Sequence, residues 1–378
     1  MLGKIDSPLN QKLAQVKWGE FKISKLFNIE NTLSFNADKL VNGSEYDYVT
    51  RTSLNQGILK TTGFVNERNI NDSGNWSLGL LQMDFFYRRN PWYAGQFVRK
   101  ISPKFAVTDN TALFFTTILN GLKKDLLSVL VRNVDNIFLN STIQLPIDGN
   151  GEIDFGFIDG FVAELEGQRV AELQAYLSVT GLSDYTLTEK EKHVIEHLTE
   201  IPFKTFKITS IFDIKNTGNI LSRDIIENSG STPYLCASRE NNAVSSYITY
   251  NEDSLDKGNC VFIGGKTFVV TYQKNDFFSN DSHNLVLYLK KKDFEQQNIL
   301  LSLVACVDRS LRHKYSWGDS ISNKKIKSDV IMLPVNKNEP NYELMATLIS
   351  AVKKLVIKDV VNYADKKIAL TKEVISKS

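Results

Sequence analysis

At 378 residues, 42% of them hydrophobic and 23% charged, the chain has the composition of an ordinary globular protein and the length for two or three domains. A formal net charge of +2 excludes a wholesale basic character, so a nucleic-acid partner requires lysines and arginines gathered on one surface. No apolar run is long enough to span a bilayer. The three cysteines, Cys236, Cys260 and Cys306, are odd in number and never spaced as C-x-x-C, which fits buried thiols in a reducing cytoplasm.

Met1 to Asn10 has no apolar core and no small-residue cleavage site, and reads as an untargeted leader. From Trp18 to Ile29 the apolar residues predict a short strand running into a helical turn. The stretch Phe21 to Thr32 then returns as Phe206 to Thr217. Phe21/Phe206, Lys22/Lys207, Ile23/Ile208, Phe27/Phe212, Ile29/Ile214, Asn31/Asn216 and Thr32/Thr217 are identical at an offset of 185 without a gap. A period this long marks a duplicated domain rather than a solenoid unit.

The copies stay parallel as the chain proceeds. Tyr46 to Ile58 and Thr232 to Val244 each read as strand, polar loop and strand. Gly74-Asn75 and Gly258-Asn259 each open an apolar strand leading to an aromatic hairpin. In that hairpin Tyr87/Tyr272, Arg89/Lys274, Asn90/Asn275, Trp92/Phe277 and Tyr93/Phe278 fall at the same offset. A helical stretch follows in each copy, Thr111 to Val131 and Phe294 to Arg312. Each then has a strand ending in Leu-Pro, Thr142 to Ile147 and Val330 to Val335.

Beyond those strands the periodicity becomes helical. Ile158, Val162, Leu165, Leu173 and Leu177 recur at helical steps, as do Met345, Leu348, Val352, Leu355, Val356, Val360 and Tyr363. From Asp154 to Ser178 a helix would run about 37 Å at roughly 1.5 Å per residue, close to the roughly 34 Å turn of B-DNA. Laid together, the two stripes would make an antiparallel coiled-coil-like pair. Between the copies, Thr188 to Glu191 is a capping box that should start a short helix through Leu198.

Three catalytic patterns fail on inspection. His193 to His197 matches H-x-x-E-H without an evident third ligand, so no metal site is assigned. Gly264-Gly265-Lys266-Thr267 ends like a P-loop, but the first glycine of that motif would fall at Cys260. Asn90-Pro91-Trp92-Tyr93 approaches the Asn-Pro-Pro-Tyr loop of amino-methyltransferases with Trp92 in place of the second proline. Its partner, Asn275 to Phe278, lacks both prolines. No S-adenosylmethionine-binding glycine motif is found, and no catalytic residue is assigned.

The order of these motifs, twice over, resembles the specificity (S) subunit of type I restriction-modification systems, and equally the similar specificity subunits of type IIB systems. The resemblance covers nearly the whole chain and implies a mixed α/β fold. It implies two tandem target recognition domains related by pseudo-two-fold symmetry, at 1–153 and 201–340. A spacer helix and connector at 154–200 and a closing helix at 341–378 complete the chain. Departures such as Pro202-Phe203 for Trp18-Gly19 and Ala243 for Gly57 are at packing level. The implied partners are double-stranded DNA, methyltransferase subunits carrying S-adenosylmethionine, and a nuclease subunit. Ile158, Val162, Leu165, Leu173, Leu348, Val352 and Leu355 would face those subunits.

Base readout needs paired donors and acceptors: arginine for guanine, asparagine or glutamine for adenine. The two loops supply Arg51, Thr52, Asn55 and Gln56, and Ser238, Arg239, Asn241 and Asn242. Substituting Arg51 or Arg239 should alter which half-site is bound. Arg88, Arg89, Lys266, Lys274, Lys290, Lys291 and Lys292 are expected phosphate contacts. Two other readings are a self-contained DNA amino-methyltransferase working through Asn90 to Tyr93, and a protein-binding scaffold.

Overall fold

The computed structural model describes residues 8–129 and 131–377, with side chains from 9 to 369; Met1 to Ser7 of the leader expected at Met1 to Asn10 lie outside the described residues. The chain divides into two compact units at the Glu172–Leu173 bond.

The first unit opens with α1 (Pro8–Gln15), then β1 (Trp18–Lys22), the helical turn α2 (Ile23–Leu26) and β2 (Phe27–Asn31). There follow β3 (Tyr46–Val49), β4 (Ile58–Thr62), β5 (Asn75–Gly79), β6 (Asp84–Arg88), β7 (Trp92–Ala94) and β8 (Val98–Pro103). Helices α3 (Asp109–Gly121), α4 (Lys123–Leu127) and α5 (Val134–Asn140), then β9 (Thr142–Pro146), lead to the long α6 (Phe155–Val179).

These strands form an antiparallel sheet ordered β2-β8-β5-β6, a mixed sheet β4-β3-β7 and the pair β1-β9. Strand β5 is buried along its whole length, as befits an interior strand of the four-stranded sheet. Helix α3 starts where the Thr108 hydroxyl accepts from the Thr111 N–H at 3.0 Å, relieving one unpaired donor of its first turn. Its apolar side, Ala112, Phe115 and Leu119, joins Phe27, Trp76, Leu78, Phe85 and Phe138 in one core. Burying each large side chain of this kind contributes roughly 1.5–3 kcal/mol.

In the second unit the connector helix is α7 (Glu189–Glu196). Then come β10 (Phe203–Lys207), α8 (Ile208–Ile211), β11 (Phe212–Asn216), β12 (Thr232–Leu235), β13 (Val244–Ile248), β14 (Cys260–Gly264), β15 (Val269–Gln273), β16 (Phe278–Ser279) and β17 (Leu285–Leu289). Helix α9 (Gln297–Leu311), α10 (Asn323–Ile326), β18 (Val330–Asn336), β19 (Glu339–Pro340) and α11 (Tyr342–Lys377) complete it. The sheets β11-β17-β14-β15, β13-β12-β16 and β10-β18-β19 repeat the first unit's, strand for strand, with β19 added.

Small features repeat with the sheets. Tyr48 pairs with Tyr93 and Tyr234 with Phe278, both in parallel register, and a bulge interrupts the antiparallel partner pairing after each of Tyr48 and Tyr234. Each tyrosine is buried, and its hydroxyl donates to a backbone carbonyl at 2.6 Å, that of Phe35 or Ile220. The bulge places one extra residue, Leu59 or Ser245, on the strand that returns from the loop, and the repeat offset, 185 at Phe21/Phe206, is 186 from Tyr48/Tyr234 to Ile58/Val244. The expected strand and helical turn from Trp18 form, with a second strand, β2, following that the pattern had not indicated, and the Leu-Pro strands form where expected.

The capping box at Thr188 forms as expected, and α7 is held to α11 by a buried carboxylate. Glu191 accepts from Ser350 Oγ at 2.6 Å, the Thr188 N–H at 2.8 Å and Lys354 Nζ at 2.9 Å. Burial opposes its ionisation, but those hydrogen bonds outweigh it and bring the carboxyl down to about 2. Nearby, Leu177 at the end of α6 packs with Val361 and Ala364 of α11. Burial pushes the Cys260 thiol up to about 12 and the Cys306 thiol to about 11, which keeps both protonated.

Candidate nucleic-acid interface

In each unit the loop between the strands of the mixed sheet lies along a hairpin of the four-stranded sheet. In the first unit that hairpin is β5–β6. Gly79 sits at its tip, where an added Cβ would stand 2.8 Å from Arg51 Cα, so only glycine lets the loop backbone approach so closely. Further along, Ser53 Oγ donates to the Asp84 carboxylate. At the hairpin base the Arg88 guanidinium donates to the Gln56 carbonyl at 2.5 Å. The second unit uses the same construction on β14–β15. A Cβ added at Gly264 would stand 2.7 Å from Ala237 Cα, Thr267 Oγ1 donates to the Ala237 carbonyl at 2.6 Å, and Gln273 Nε2 donates to the Asn242 carbonyl at 2.9 Å.

Arg88 and Gln273 are therefore equivalent pins, and Arg88 is not placed to meet a phosphate. It is 2% exposed and Gln273 is 4%. Arg88 also donates to Ser77 Oγ through Nε at 2.9 Å and Nη2 at 2.7 Å, where Gln273 uses Thr271 Oγ1 at 2.9 Å. Burial lowers the guanidinium pKa to about 10, with Asp47 opposing, so it remains charged at neutral pH. A buried charge is tolerable because its donors meet fixed acceptors.

The loop apices share a strained backbone. Asn55 and Gln56, like Asn241 and Asn242, adopt left-handed φ values between 46° and 53°. Asn55 Nδ2 donates to the Ile58 carbonyl at 3.2 Å and Asn241 Nδ2 to the Val244 carbonyl at 3.0 Å, so local bonds hold both turns. Asn242 Nδ2 also bonds inward, to the Tyr272 carbonyl at 3.0 Å. Each amide group in these bonds keeps its side-chain oxygen for another donor, while Gln56 is exposed. Thr52 and Ser238 are half-buried; their hydroxyls accept from the Leu54 and Glu240 N–H groups at 3.1 Å.

The two arginines do not correspond. Across the bulge Arg51 falls opposite Ala237, as the matched glycine contacts require, and Arg239 falls opposite Ser53. Arg51 is exposed, with its guanidinium 5.3 Å from the centre of the Phe97 ring. Phe97 is itself half exposed, so a planar cation is presented on an aromatic support. Arg239 instead lines an open cleft with Thr267, Phe268, Arg312 and Trp317.

The remaining cations fall into two groups. Lys266 lies in the β14–β15 turn beside the second loop, ion-paired with Asp281 at 2.8 Å, and Lys274 is exposed just past β15. Arg89, exposed past β6, pairs with Asp109 at 3.0 Å. Lys290, by contrast, donates to the Thr209 carbonyl at 2.7 Å and fastens α8. Lys104 does the same for α2 through Ser24 at 2.7 Å. Lys291 pairs with Glu339 at 3.3 Å and Lys292 with Glu295 at 2.8 Å. The expectation of a Lys290 to Lys292 phosphate run thus yields to a fastening lysine and two ion pairs.

Trp92 and Tyr93 are fully buried. Trp92 Nε1 donates to Asn75 Oδ1 at 3.1 Å, and the Tyr93 hydroxyl donates to the Asn66 carbonyl at 2.9 Å. Trp92 and Tyr93 thus pack inward, while Asn90 and Pro91 are exposed. The His193 and His197 rings lie 4.2 Å apart between centres, tilted by 41°. Among the described residues no group of three His, Cys, Asp or Glu side chains could hold a metal ion.

On the long helices, Ile158 and Val162 are buried, Ile158 within the first unit's core, so the expectation that Ile158 faces a partner is corrected. Leu173 joins the α6–α11 contact and Leu348 is half-buried. Leu165, Val352, Leu355 and Val356 are exposed. No helix among the described residues is long and apolar enough to cross a membrane.

Comparison with known proteins agrees with this architecture. The chain is 26% identical over 344 residues to the specificity subunit S.BcgI of a type II restriction enzyme from Heyndrickxia coagulans, covering 87% of this chain and 93% of that one. Its fold is similar to the crystal structure of a type I restriction-modification S subunit from M. genitalium. That match has a TM-score of 0.56 and 11% identity, over 96% of this chain and 95% of the other. The model of the type I restriction modification DNA specificity domain matches twice, at residues 15–175 and 200–374, and the chain belongs to that family.

Proposed function

We propose that each unit reads one half of a bipartite DNA site through the loop pinned to its hairpin, and that the chain supplies sequence recognition to a methyltransferase complex. The observation carrying this reading is the pairing of a shared support with unlike tips. Gly79/Gly264 and Arg88/Gln273 fix both loops to one scaffold, while the exposed cations they present differ in position and surroundings. A loop held this way offers arginine and amide groups with little freedom left to lose on binding, which favours readout.

Catalysis then belongs to partner subunits binding S-adenosylmethionine, and a nuclease subunit can join them. The exposed apolar residues Leu165, Val352, Leu355 and Val356 are the proposed contacts for those subunits. The similarity to S.BcgI favours such an assembly.

The test is binding of the purified full chain to duplex DNA across a salt series, with labelled methyl transfer measured on the same sample. Sequence-dependent binding that weakens with salt, and methyl transfer only after a methyltransferase subunit is added, is the expected result. Methyl transfer by the chain alone would refute the division of labour. Mapping methylated bases genome-wide with and without the gene would give the two half-sites. Exchange of Arg51 or Arg239 should then change one half and spare the other.

A further inference from the structure

We infer that the second unit holds DNA with a second element besides its loop: the arch between α9 and α10, with Arg309 and Arg312 on phosphates and Trp317 against the groove edge. This rests on the reading of the Ala237 to Ala243 loop as a DNA-recognition loop.

Trp317 is 80% exposed, yet it is not on a loose segment. The Ser316 and Asp319 backbones exchange hydrogen bonds at 3.2 and 3.1 Å, closing a two-residue turn with Trp317 and Gly318 at its tip. Beneath it Tyr315 is buried, its hydroxyl donating to Asp329 at 2.5 Å and its ring stacked on Phe268 at 5.6 Å. A large apolar side chain held rigidly in water is unfavourable for the free protein and is the common anchor of an interface.

The surroundings specify the partner. A cleft of about 520 Å³ lies between the turn and the loop, lined by Arg239, Phe268, Arg312 and Trp317 among others. Arg312 also lines a second hollow with Asp308, Arg309 and His313. Asp308 holds Arg312 through a bidentate ion pair, while among the described residues no side-chain hydrogen bond or ion pair engages Arg239, Arg309 or His313. Positive charge thus runs from the loop to the end of α9, beside an aromatic platform, which complements a polyanion with flat bases. The first unit lacks this arch: α4 and α5 occupy the corresponding connection.

The test uses the full chain and a pool of random-sequence 40-bp duplexes, about 40 pairs being long enough for two half-sites a turn apart. Selection identifies the preferred site, and anisotropy across a salt series gives Kd. Arg312→Gln should keep the selected sequence, weaken binding on the order of 10-fold and reduce the salt slope by about 1. Trp317→Ala should weaken binding by about 10-fold with the slope unchanged. Arg239→Ala is the control for the underlying reading and should change the selected bases in one half-site. If Arg312→Gln and Trp317→Ala bind like the unmodified chain while Arg239→Ala shifts the selected bases, the arch is not a DNA contact and the loop reading stands. If the unmodified chain selects no sequence, the loop reading falls and the inference with it.

Discussion

Replacing Arg88 decides between a pin and a phosphate contact. Arg88→Met keeps most of the side-chain volume but removes the donors to Ser77 Oγ and the Gln56 carbonyl. A hydrogen bond from a charged donor is worth about 1.5–3 kcal/mol, and an orphaned buried acceptor costs about 1–3 kcal/mol. Methionine buries no charge, which offsets part of that loss. The net expectation is about 2–3 kcal/mol, all in the first unit. For a domain of that size it lowers Tm by roughly 5–10 °C. Tryptophan fluorescence suits the measurement, because Trp18, Trp76 and Trp92 lie in the first unit and only Trp317 in the second. Below the transition, binding should lose base preference in one half-site with no change in salt slope. A variant melting within about 1 °C of the parent, with a salt slope lower by about 1, would show that Arg88 meets a phosphate after all.

Two further outcomes follow from the same geometry. The Glu191 carboxyl lies near 2 in the folded chain against an ordinary value of 4.5, so its stabilisation is complete above pH 4.5 and is lost as pH falls towards 2. The full effect is on the order of 3 kcal/mol at about 1.36 kcal/mol per pH unit. Urea titrations between those pH values should show a slope in the parent that Glu191→Gln lacks, and equal slopes would remove Glu191 from the account. Phe97→Ala leaves Arg51 without its aromatic support and should weaken binding at the first unit's half-site about 3- to 10-fold, in line with roughly 0.5–1 kcal/mol for an exposed cation–π contact plus lost preorganisation. Anisotropy with duplexes altered in one half at a time checks it, and an equal loss on both halves would argue against the Arg51–Phe97 unit.

Much of the scaffold was legible in the sequence because identical apolar residues at a fixed spacing must fill equivalent places in two cores. Phe27 and Phe212 are both buried, and so are Tyr48 and Tyr234. The pins were hidden because an isolated arginine usually marks a surface. Still, the offset of 185 sets Arg88 against Gln273, and a neutral amide in that position is a poor phosphate ligand. The fastening role of Lys290 and the ion pairs of Lys291 and Lys292 depend on groups brought in by distant segments, which no local pattern reveals. Comparing the copies gave no reason to notice Trp317, since its arch has no counterpart in the first unit. Periodicity cannot separate a helix stripe buried in its own core from one left open, so Ile158 and Val352 looked alike.

The bulge after Tyr48 and Tyr234 accounts for how one fold can serve two specificities. It adds one residue, Leu59 or Ser245, to the strand that returns from the loop in each unit, so the loop rejoins the sheet at the same point in both. From there only three attachments are shared: the glycine contact, the left-handed apex and the buried pin. The glycine contact and the pin act on backbone atoms of the loop, and the apex is held by an asparagine amide, Asn55 or Asn241, that both loops share. Apart from the shared hydroxyl of Thr52 and Ser238, the side chains over this support differ: Arg51 stands where the other loop has Ala237, and Ser53, bonded to Asp84, where it has Arg239. A loop anchored through its side chains would have tied stability to specificity. Anchored largely through its backbone, it lets an exposed arginine stand two positions further along the chain while the hairpin beneath keeps the same construction.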